Sequence, residues 1–122
     1  MEDGIEVMRR LVELAETCHE GLQYIAARLE EGHFEEMLYL FEDVVYGFCK
    51  IQDVVSHPIL PRTNNRFNQL ALEIETAMHL MLTAYENNNI NEGAHTINHQ
   101  LSPKFNQLRD ELESQFKSYI LS

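Results

Sequence analysis

Apolar residues recur at steps of three and four along most of the chain, the spacing that gathers them on one face of an α-helix. The first such segment covers about 4–31, with Ile5, Met8, Leu11, Val12, Ala15, Cys18, Leu22, Ile25, Ala26 and Leu29 on the apolar side. Gly32 supplies a left-handed stop after it. A second helix is expected over about 33–56, where Phe34, Leu38, Phe41, Val45, Phe48, Gln52 and Val55 keep a heptad spacing. Met37, Val44 and Ile51 widen that seam. Pro58 disfavours helix at the residue before it, so the segment ends there.

The third helix, about 64–86, repeats the heptad at Phe67, Leu70, Ile74, Ala77, Met81 and Ala84. Leu72, Met78, Leu80, Leu82 and Tyr85 stretch its apolar arc to roughly twice the ~100° that one side of a bundle needs. Asn87-Asn88-Asn89 ends it, because Asn tolerates the left-handed region, and Asn89 with Glu92 has the spacing of a capping box. The fourth segment, about 90–121, carries Ile90, Ala94, Ile97, Leu101, Phe105, Leu108, Leu112, Phe116 and Tyr119. Its apolar phase passes Pro103 without slipping, which predicts one helix kinked near Pro103 rather than two.

Shifting the chain by 56 residues superposes these patterns. Phe34, Leu38, Phe41 and Val45 fall on Ile90, Ala94, Ile97 and Leu101, and Leu11, Leu14 and Cys18 fall on Phe67, Leu70 and Ile74. Two helical hairpins with short turns, joined by the 57–63 connection, predict an all-α antiparallel four-helix bundle occupying 1–122 as a single domain.

Composition narrows what such a bundle could do. Twenty acidic residues against nine Lys and Arg give a net charge of −11, so a nucleic-acid backbone or an anionic membrane would repel most of the surface. Residues 1–56 hold thirteen of the acids and four of the bases, concentrating the charge on the first hairpin. No apolar run reaches the ~18–20 residues of a membrane span, and no secretory leader is recognisable at the start. Cys18 and Cys49 lie in apolar stretches and form no metal or redox motif. They read as two buried thiols of a cytoplasmic protein.

Catalytic chemistry finds little footing. The chain has no Gly-x-Ser-x-Gly and no phosphate-cradling loop, so it is not expected to be an enzyme or to carry a cofactor. Glu16-x-x-His19 and Glu92-x-x-His95 match, as strings, the ligand motif of carboxylate-bridged di-iron bundles. Helical geometry sets them apart from that motif, since Glu92, His95 and His99 point away from Ile90, Ala94 and Ile97, and Glu16 points away from His19. A metal-binding or redox bundle using His95, His99 and His19 is the alternative function.

What remains is surface. Tyr39 and Tyr46, seven apart and about 150° from Phe41, should stand on the outside of the second helix among Glu35, Glu42 and Asp43. Leu72, Leu80 and Leu82 should line a groove beside the third helix, reached past those two tyrosines. In size, acidity and helix count the chain resembles the export chaperones of flagellar and type III secretion systems, a resemblance without a diagnostic motif that transfers no residue. It implies a protein that holds a partner helix. The expected function is therefore non-catalytic and works through protein–protein interaction, as a homodimer or around a partner whose Lys or Arg would suit the acidic rim.

Overall fold

The computed structural model of the chain describes residues 4–120. Four helices fill them in an antiparallel bundle, as the periodicity predicts. Helix α1 spans Gly4–Glu30, and its buried side chains step from Met8 through Leu11, Ala15, Cys18, Leu22 and Ile25 to Leu29. Gly32 follows with φ +90°, a conformation that costs any residue with a Cβ atom.

The second helix starts later than its apolar pattern suggests. Instead of beginning at 33, the chain makes a 3-10 turn over Glu35–Met37, and α2 runs from Leu38 to Val55. Phe34 accounts for the delay. Its ring is buried and stacks on Tyr85 with centroids 4.2 Å apart, so the chain must turn inward before it can settle into α2. The expected heptad seam also divides. Phe41, Phe48 and Val55 are buried together with Val44 and Ile51, whereas Leu38, Val45 and Gln52 stay partly exposed along one flank.

After the 56–64 connection, which tucks Leu60 into the core, α3 spans Asn65–Glu86. The Asn64 side chain accepts from the Phe67 N–H at 2.8 Å and caps it. Asn88 takes the left-handed stop (φ 51°), and Asn89 accepts from the Glu92 N–H at 3.1 Å to open the last helix. That helix is continuous. It begins as α4, Ile90–Thr96, widens into a π turn over Ile97–Leu101 and continues as α5, Ser102–Ile120. The Ser102 N–H reaches back to the Ile97 carbonyl, five residues away. Pro103 has no N–H and its ring would press on the carbonyl four residues before it, so the extra residue of the π turn relieves a clash that an ideal helix would suffer. The expected end at residue 121 lies outside the described residues.

Around the bundle the order is α2, α1, α4–α5, α3. Helix α1 packs closely on α2 and α5, and α3 packs closely on α4 and α5. Helices α2 and α3 would close the ring, but they meet only sparsely. Polar ties follow the same division. Lys104 Nζ donates to Glu73 Oε1 at 3.0 Å, Arg66 donates to Gln107 at 2.8 Å and Asn64 donates to Glu111 at 2.8 Å, lacing α3 and its cap to α5. Among the described residues no hydrogen bond or salt bridge crosses from α2 to α3. One side of the bundle is open.

Candidate functional site

The open side is a groove along nearly the full length of α2. Three adjoining hollows of about 460, 360 and 290 Å³ compose it. The first and second share His79 and Leu82, and the second and third share Gln52 and Glu75.

Its walls are two stripes of side chains in one antiparallel register. Helix α2 with its C-cap contributes Leu38, Glu42, Val45, Cys49, Gln52 and Ser56, and α3 contributes Glu86, Leu82, His79, Glu75, Leu72 and Asn68. Taken in that order, each residue of the first set lines the same hollow as its counterpart in the second. Both stripes step 4-3-4-3-4, the spacing with which a helix presents a seam to another helix. Phe48 and Met78 form the floor of the middle hollow, and Phe67 and Ala71 that of the last.

The sequence-predicted contact residues divide on this geometry. Leu72 and Leu82 line the groove, at 65% and 38% exposure. Leu80 is as exposed, at 40%, but it lines none of the hollows. The reason is rotational: at about 100° per residue Leu80 stands about 160° around α3 from Leu82, so the two cannot share a wall. Tyr39 and Tyr46 do project outward, at 76% and 72% exposure, but they stand about a quarter turn around α2 from the groove wall and line none of the three hollows. The residues that the periodicity missed are Leu38, Val45 and Gln52. Leu38 and Val45 share the heptad phase of the buried Phe41 and Phe48, and Gln52 is the one polar step of that seam.

Cys49 is a further correction. Only Cys18 is buried, while Cys49 is an exposed free thiol on the groove wall. Burial pushes the Cys18 thiol up to about 11, which keeps it protonated and inert. Tyr85 closes the Leu38 end of the groove. Its hydroxyl is shut away from solvent with no hydrogen-bond partner, and burial raises its pKa to about 12.

Among the described residues no group of three or more His, Cys, Asp or Glu could hold an ion. His95 and His99 are exposed, with ring centroids 4.7 Å apart. His19 is half-buried where α1 meets Arg109 of α5. Desolvation and then the Arg109 charge lower its pKa, against the opposing pull of Glu16, Glu20 and Asp110. Among the described residues no helix is long and apolar enough to cross a membrane.

The fold and its open seam define an all-α, antiparallel four-helix bundle with one unclosed side. Residues 6–111 match a family described as a domain of unknown function, DUF8042, and the chain belongs to that family. No curated protein and no solved structure matches it.

Proposed function

We propose that the protein is a non-catalytic interaction module and that the groove between α2 and α3 is its contact surface, used for self-association as a homodimer or for holding a partner helix. The open seam carries the reading. Leu38, Val45, Leu72 and Leu82 line a helix-length groove in which the bundle leaves them wet, although full burial of such a side chain contributes about 1.5–3 kcal/mol. A cytoplasmic setting belongs to the same proposal. Its support is that Cys18 and Cys49 are both free thiols, as reducing compartments keep them.

Site-specific photo-crosslinking in the producing cell tests it. A crosslinker at position 82 in the groove should yield protein adducts, either with a second copy or with another chain. A crosslinker replacing Tyr24, exposed on α1, should yield none. Adducts from neither position, or equally from both, would refute the groove as the contact surface.

A further inference from the structure

We infer that the occupant of the groove is an amphipathic helix of another protein, about five turns long and flanked by Lys or Arg, and not a second copy of this chain. The inference rests on the groove being a contact surface. Its length comes from the span of the wall, since Leu38 to Ser56 rises about 27 Å at 1.5 Å per residue. A helix is the shape that fits, because the two walls hold one register with steps of four and three. Such a groove accepts apolar anchors at i, i+3 or i+4, and i+7 of the ligand.

Charge decides between occupants. Glu42, Glu75 and Glu86 stand along the walls, and no Lys or Arg lines any of the three hollows. Two copies meeting on this face would set those carboxylates against one another, within chains that each carry −11. Like charges so placed are a barrier to self-pairing. A ligand with Lys or Arg beside its apolar anchors meets complementary charge from the Leu38 end, at Glu42 and Glu86, to Glu75 in the middle. Its encounter would be quickened and made salt-dependent.

The matched pair Leu82 and Leu80 provides the test. Both sit on α3 with nearly equal exposure, 38% and 40%, but only Leu82 lines the groove. The probes are two synthetic 18-residue helical peptides with identical leucines at heptad positions, one flanked by Lys and the other by Glu. Binding to the full chain is followed by fluorescence anisotropy. The Lys-flanked peptide should bind at least about tenfold more tightly than the Glu-flanked one. Leu82→Arg should weaken it about tenfold or more, and Leu80→Arg, which adds the same charge, by no more than about threefold. Bound peptide should also slow alkylation of Cys49 in the unmodified chain, a readout that holds even if Leu82→Arg fails to fold.

Equal weakening by both variants would reduce the attraction to general electrostatics and overturn the inference, as would no weakening by either. Equal or tighter binding of the Glu-flanked peptide, or an unprotected Cys49, would do the same. A stable dimer in light scattering, dissociated by Leu82→Arg and not by Leu80→Arg, would make a second copy the occupant. The inference would then fail while the proposed function stood.

Discussion

A methyl group on Gly47 would stand 2.6 Å from the Cys18 sulfur. Carbon and sulfur at rest keep well beyond 3 Å, so α2 can lie this close to α1 only because residue 47 has no side chain. Gly47→Ala gains up to about 1 kcal/mol of helix propensity and incurs about 1–3 kcal/mol of overpacking. The expected result is a net loss of about 1 kcal/mol in chemical denaturation. Trimming the other partner settles the cause. In the Cys18→Ala background, Gly47→Ala should become neutral or stabilising, and an unchanged penalty there would place the strain elsewhere.

The two thiols should report their different settings directly. Cys49 is exposed, whereas Cys18 is buried with its pKa raised to about 11. Under native conditions at neutral pH a thiol reagent should therefore titrate one cysteine promptly, and the second only as the chain unfolds. Cys49→Ser should abolish the fast phase and leave the slow one. Two fast equivalents would mean that the α1–α2 interface opens far more readily than its packing implies.

Acid should weaken the bundle through His19. Its folded-state pKa lies below the unfolded value near 6.5, first because of desolvation and then because of Arg109. The unfolded chain therefore binds the proton more readily, and stability is fully present above that value. It is lost as pH falls from about 6.5 towards the folded-state pKa. Denaturation midpoints at pH 7.5 and 5.5 should differ more for the wild-type chain than for His19→Gln. An identical drop in both would assign the acid sensitivity to other groups.

Periodicity made most of this architecture legible, and its failures share a physical origin. A repeat of three and four records that a residue shares the apolar phase of its helix, but not whether another helix stands opposite. Leu38 and Val45 are in phase with Phe41 and Phe48, yet they border the seam that α2 and α3 leave open, and so remain partly exposed. Leu80 misled in the other direction. Eight residues from Leu72, it looks like a two-turn neighbour, although the helical rotation carries it about 80° away and off the groove. Phe34 was legible as apolar but not as a plug, because its partner Tyr85 lies on another helix.

Phe34 should accordingly matter more than its place beside a turn suggests. Its ring stacks on Tyr85 with the planes within 5°, and a Cβ added at Gly93 would come within 2.8 Å of it. Phe34→Ala should cost about 3–5 kcal/mol, the range for an aromatic ring removed from a packed core. A loss under about 1 kcal/mol would show that the turn carries the ring without depending on it.

The π turn leads to a prediction about chain length rather than side chains. If Ile97–Leu101 holds one residue more than an α-helix needs because Pro103 stands after it, that residue becomes expendable once the proline is gone. Deleting the exposed Asn98 in a Pro103→Ala background should let α4 run into α5 as regular helix. Leu101, Phe105 and Leu108, all fully buried, would keep their inward facing. Deleting the exposed Gln107 in the same background removes a residue where no surplus exists. Every later position, including Leu112 and Phe116, then rotates by about 100°. Thermal melts followed by circular dichroism should show a cooperative transition for the Asn98 deletion and a broad or absent one for the Gln107 deletion. Equal damage from both would mean that the π turn is fixed by its own packing, with Buried Ile97 and Thr96 holding it in place rather than the proline.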